Sequence, residues 1–167
     1  MPNDAVKFSD EPRDRISGEL KPLCPKREGS ELLMSSEDFD AQAVAGYWFA
    51  EAEETLAVAD HLVEKGDYSY ALFFGHLAVE KMLEGLHVTR RNQHAPPIHN
   101  LLRLAKAAGL EPNEAQTEIL IRITAFNIAA RYPDPKRDFR RRCTPEYTAE
   151  QMAAIREVVA WLKSHLM

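Results

Sequence analysis

A chain of 167 residues with 45% hydrophobic and 28% charged residues has the length and composition of one globular domain plus an appendage. No stretch approaches the roughly 20 uninterrupted apolar residues that a membrane-spanning helix needs, and the opening residues carry no apolar run of the signal-peptide kind. Cys24 and Cys143 are too few and too far apart for a disulfide framework or a zinc site, so a cytoplasmic protein without metal or other cofactor is expected.

The formal charge of −5 conceals an asymmetry. Between Ala41 and Asp67 stand Glu51, Glu53, Glu54, Asp60, Glu64 and Asp67 against Lys65 alone. Between Arg131 and Arg142 stand Arg131, Lys136, Arg137, Arg140, Arg141 and Arg142 against Asp134 and Asp138. A basic segment in an acidic protein sets up a local positive field, where an anionic partner is to be sought. A solvated loop, or a salt-bridge partner for the acidic helix, would leave the same pattern.

Residues 1–38 are polar, include Pro2, Pro12, Pro22 and Pro25, and show no apolar period; they read as a disordered or loosely attached arm. Met34, just before the capping-type sequence Ser35 to Asp40, reads as an alternative start of translation. A first helix is predicted over about 39–64 from Val44, Trp48, Ala52, Thr55 or Leu56, Ala59 and Leu62 or Val63. Gly66-Asp67 stops it. A second helix, capped by Asp67, runs to about Arg90 with Tyr70, Phe74, Leu77 or Ala78, Met82 and Leu86 inward. After Pro96-Pro97, a short helix from His99 to Ala108 ends at Gly109, a residue suited to a left-handed cap.

The fourth helix spans about 113–130 with Ile119 or Leu120, Ile123, Phe126 or Asn127 and Ala130 inward. It ends at Tyr132, which the following proline pushes out of helical geometry. A last helix is predicted over about 148–166, with Thr148 and Gln151 as a capping box and Met152, Ile155, Val158 or Val159 and Leu162 inward. The whole reads as an all-α antiparallel bundle of four long helices and one short one, residues 39–167.

Three segments carry a family resemblance. Gly66-Asp67-Tyr68-Ser69-Tyr70-Ala71-Leu72-Phe73 leads into Ala78-Val79-Glu80-Lys81-Met82-Leu83; Ile98-His99-Asn100-Leu101-Leu102 opens the short helix; and Ala130-Arg131-Tyr132-Pro133-Asp134 closes the fourth. Their order and spacing, with Trp48 on the first helix, resemble the HEPN family (higher eukaryotes and prokaryotes nucleotide-binding) over about 40–166. Asn100 stands where the family usually has Asp. The resemblance implies a bundle that often forms homodimers and that commonly works beside a minimal nucleotidyltransferase in toxin–antitoxin modules. Many members are metal-independent endoribonucleases marked by an Arg followed after four to six residues by a His. This chain departs from that pattern. Arg131 meets no His before His165, Arg90 and Arg91 precede His94 too closely, and seven residues separate Arg91 from His99.

The candidate catalytic residues are Arg131, His99 and Asp134. A guanidinium at a helix C-terminus can fork onto a phosphate or stabilise a phosphorane, and equally can pair with Asp134 or Glu80 to pin the loop. His99 fits a helix start or a general base; Asp134 fits a turn or a base. The candidate nucleotide- or RNA-binding set is Asn127, one turn before Arg131, with Arg131, Tyr132, Lys136, Arg137, Arg140, Arg141 and Arg142; Phe139 within the run offers one ring for stacking. Glu80 and Lys81 belong to the motif, with Glu80 read as a buried carboxylate partnered to Arg131. Glu84-Gly85-Leu86-His87 is a Glu-x-x-His, but di-metal bundles need two copies and further glutamates, and no second copy exists. A non-catalytic scaffold or docking module is the alternative to a phosphate-binding or RNA-cleaving domain.

Overall fold

The computed structural model describes residues 39–132 and 134–166; the expected arm over 1–38, with Cys24 and Met34, lies outside them. The described residues form six helices, α1 Ala41–Glu64, α2 Tyr68–Arg91, α3 Leu101–Ala107, α4 Glu114–Arg131, α5 Asp138–Arg142 and α6 Pro145–Lys163, and no strand. None is long and apolar enough to cross a membrane.

Local chemistry sets the boundaries. Asp40 starts α1 by accepting a hydrogen bond from the Ala43 amide at 2.9 Å. Gly66, at φ +80°, ends it: the Asp67 amide donates to the Leu62 carbonyl and the Gly66 amide to that of Val63, so two otherwise orphaned carbonyls are satisfied. Gly109, at φ +75°, ends α3 in the same manner, with Leu110 donating to Ala105 and Gly109 to Lys106. The three-residue connection folds α1 and α2 into an antiparallel hairpin. Asn113 and Gln116 form a reciprocal capping box at the start of α4.

Helix α2 is central and packs against each of the other five. It is buried nearly all round, contributing Leu72, Val79, Met82, Leu83 and Leu86 to a core completed by Leu101 and Leu104 of α3, Leu120, Ile123 and Phe126 of α4, and Met152, Ile155, Val158 and Leu162 of α6. Its glycines mark close approaches. A Cβ at Gly85 would lie 2.4 Å from the Phe49 ring, and one at Gly75 would lie 2.5 Å from the Ile155 side chain.

Three expectations need correction. Tyr70 is turned outward rather than into the core, because a helix covered on most sides has no single stripe for periodicity to find. Helix α6 begins at Pro145 with Thr144 as its cap, its hydroxyl accepting from the Tyr147 amide at 3.2 Å. Proline at the first helical position favours that start, so Thr148 and Gln151 are buried inside the helix instead of forming a capping box. The basic run also folds into a second short helix, α5, pinned by buried Phe139 against Phe126, with ring centroids 5.8 Å apart.

Candidate functional site

The basic segment turns on Asp134 and carries its cations outside. Asp134 builds it: its carboxylate accepts hydrogen bonds from the amides of Lys136 at 2.8 Å and Asp138 at 3.1 Å. This is turn chemistry, and it occupies both carboxylate oxygens. Arg131 closes α4 with its Nε donating to the Asn127 carbonyl at 3.0 Å, and its guanidinium lies over the rings of Phe73 (5.7 Å) and Tyr132 (5.4 Å). Neither expected ion pair of Arg131, to Glu80 or to Asp134, forms. Asn127 is buried and reaches Arg131 through its backbone carbonyl, so it does not extend an open amide toward a shared ligand.

On α5 the arginines fan out from Phe139. Arg140 donates to the Tyr70 hydroxyl at 3.1 Å and lies 5.4 Å from that ring; Arg142 lies over Phe139 and Tyr147. Arg141 pairs with Asp138. Among the described residues Arg131, Lys136, Arg137, Arg140 and Arg142 have no carboxylate partner, and all five are exposed. Tyr132, 68% exposed, and Tyr70, 42% exposed, stand among them. Cations interleaved with open aromatic faces are what single-stranded nucleic acid needs: charge for phosphates and rings for bases.

A second cluster joins residues that the sequence left apart. Glu80 on α2 is 8% exposed; His76 Nε2, one turn earlier and fully buried, lies 2.9 Å from its Oε2. His99, just ahead of α3, places Nδ1 3.0 Å from Oε1. Burial works to raise the Glu80 carboxyl, but hydrogen bonds from the two imidazoles, and their charge, outweigh it and hold the group below the usual carboxylate range. An ionised Glu80 only accepts, so His76 Nε2–H and His99 Nδ1–H are the donors. One turn further, burial and then the charge of Glu80 push Glu84 up to about 7. Lys81 turns away, donating to Glu51 at 2.7 Å and Thr55 at 2.9 Å and so tying α2 to α1.

His87, the other half of the Glu-x-x-His, is buried, and burial followed by the Arg91 charge keeps its ring pKa below normal. Among the described residues no group of three or more His, Cys, Asp or Glu is arranged to hold a metal ion.

Phe73, His76, Glu80 and Glu84 recur at spacings of three and four and therefore share one face of α2. Arg131, over Phe73, and His99, on Glu80, consequently flank the same face, about 10 Å apart along the helix axis. The i,i+4 pair His76 and Glu80 is readable from sequence; its link to His99 depends on how α3 packs.

The family model for the HEPN domain matches residues 45–165. The crystal structure of TT1696 from Thermus thermophilus is similar to this chain, with 27% identity and a TM-score of 0.61, over 72% of this chain and 96% of that one. No curated protein matches.

Proposed function

The chain belongs to the HEPN-domain family, and from that premise we propose that it binds nucleotide or RNA phosphates through the Arg131–Arg142 segment. The observation that carries this reading is the set of five exposed cations without carboxylate partners, standing beside Tyr70 and Tyr132. Arg141 is met by Asp138 and Arg156 by Asp60. The five cations of the segment form no ion pair among the described residues, so a phosphate brings them charge-assisted hydrogen bonds without displacing an existing pair.

In this reading the protein works in the cytoplasm as a homodimer, beside a minimal nucleotidyltransferase in a toxin–antitoxin-type module. Self-association is supported by α4, whose outer face carries Ile121, 55% exposed, and Ile128, 58% exposed, with exposed Ala125 between them. Apolar residues four and three apart form a continuous stripe on a helix. The same stripe favours the second reading, a docking module whose function lies in its partner.

Binding of a labelled single-stranded RNA by the wild type and by the Lys136→Ala/Arg137→Ala/Arg140→Ala/Arg142→Ala protein separates the two readings. A phosphate-binding segment loses at least tenfold in affinity when four cations are removed. Equal affinity in both proteins overturns the assignment and leaves the docking module.

A further inference from the structure

We propose that the start of α2 forms a subsite for a terminal phosphate group, built from the free amides of its first turn, Ser69, Asp67 and Arg140. For its ligand the inference rests on the phosphate-binding reading above, and it names the part of that ligand that enters: a phosphomonoester end, not the internal backbone.

A cavity of about 150 Å³ lies between the α1–α2 turn and α5, bounded by residues 66–70 on one side and by Arg140 and Cys143 on the other. It opens onto the beginning of a 24-residue helix. The first hydrogen bond of α2 runs from the Ala71 amide to the Asp67 carbonyl at 2.9 Å, and the Asp67 side chain caps no amide. The amides of Tyr68, Ser69 and Tyr70 are therefore left without a backbone or capping partner, directed along the helix axis toward the turn that lines the cavity. Free amides and the helix dipole together favour an anion there.

Two side chains make more of this place than a solvated helix end. Ser69 is only 6% exposed, lines the cavity and forms no side-chain hydrogen bond among the described residues. A buried hydroxyl is normally paired, so this one is a donor in want of an acceptor. Arg140 donates to the Tyr70 hydroxyl at 3.1 Å, with its guanidinium 5.4 Å from that ring, and has no carboxylate partner among the described residues. Tyr70 thus holds the guanidinium at the cavity wall. Gly66 leaves the mouth clear: no atom lies within 4 Å of the position a Cβ would take there.

The charged side chains lining the cavity are Arg140 from α5 and Asp67 from the turn; Cys143, whose thiol burial pushes up to about 11, adds none. Asp67 decides which anion fits. A carboxylate only accepts hydrogen bonds, so it disfavours sulfate and an internal phosphodiester, neither of which carries a proton. A terminal phosphate group, with its second ionisation at about pH 6, does carry one. Its P–O–H donates to Asp67 while the remaining oxygens accept from the α2 amides, Ser69 Oγ–H and Arg140.

The test uses the full chain at about pH 6, where about half of a terminal phosphate is protonated. Amide NMR follows titrations with inorganic phosphate and, separately, sulfate. The affinity of one single-stranded RNA is compared with a 5′-phosphate, with a 3′-phosphate and with hydroxyls at both ends. Phosphate should shift the amides of Tyr68, Ser69 and Tyr70 at concentrations at which sulfate does not, and one of the two phosphorylated ends should tighten RNA binding about tenfold. Ser69→Ala should reduce that preference about threefold or more. Asp67→Asn supplies a readout that damage to the fold does not imitate: sulfate should then bind as well as phosphate. Equal responses to the two ions in the wild type, or no preference for either phosphorylated end, overturns the subsite, and RNA binding that persists spares the Arg131–Arg142 reading. Phosphate-selective shifts at α2 without RNA binding uphold the subsite and overturn that reading.

Discussion

Replacing Glu84 by Gln should stabilise the protein at neutral and alkaline pH and leave it unchanged in acid. Burial and the neighbouring Glu80 charge raise the Glu84 carboxyl from 4.5 to about 7. In the unfolded chain this group gives up its proton first, so between about pH 4.5 and 7 the folded state holds more protons. Stability therefore falls as pH rises through that window and levels off above it. At about 1.4 kcal/mol per pH unit the full displacement corresponds to about 3 kcal/mol. Glu84 is only half-buried, and solvent screening reduces the figure to about 1–2 kcal/mol. Glutamine keeps the shape and carries no proton. Thermal unfolding followed by circular dichroism at about pH 4.5 and pH 8 is the assay; at about 3 °C per kcal/mol for a domain of this size, Glu84→Gln should melt about 3–6 °C higher than wild type at pH 8. Parallel pH profiles, or a less stable glutamine variant at pH 8, would refute the reasoning.

Two further predictions concern the fold. Gly85→Ala places a methyl 2.4 Å from the Phe49 ring and should destabilise by about 1–2 kcal/mol, overpacking exceeding the gain in helix propensity; Gly46→Ala, with nothing within 4 Å of its Cβ, should stabilise by about 0.5–1 kcal/mol. Urea denaturation of both variants checks the contrast in sign. Asn113→Ala removes the side-chain hydrogen bond of the α4 capping box, the one Asn113 Oδ1 accepts from the Gln116 amide, and should cost about 1 kcal/mol, read as a lower urea midpoint with an unchanged slope.

The helices were legible where amphipathic spacing and a stop signal agreed. Gly66 and Gly109 end α1 and α3 at positive φ, as glycines there should, and Leu120, Ile123 and Ala130 face inward on α4. Where a helix is covered on most sides the period fades, which is why the spacing points Tyr70 inward although its side chain faces out. At α6 the Thr144-Pro145 start was a stronger signal than Thr148 and Gln151, since proline at the first helical position loses no hydrogen bond. The basic run was legible as charge, but its second helical segment was not; five residues are too few to establish a period. Glu80, His99 and Arg131 were each singled out from their motifs. Their grouping was not, because it depends on α3 delivering His99 to α2, a tertiary contact that no local pattern encodes. The buried Glu80 was expected to seek Arg131, and the two imidazoles satisfy it instead.

The most direct test of phosphate recognition by the Arg131–Arg142 segment is the salt dependence of single-stranded RNA binding by the wild-type protein. Each phosphate neutralised contributes a slope of about −0.7 in log affinity against log salt concentration. Engagement of three to five of the free cations should therefore give a slope of about −2 to −3.5. A slope near zero, or no measurable binding at low salt, would contradict it.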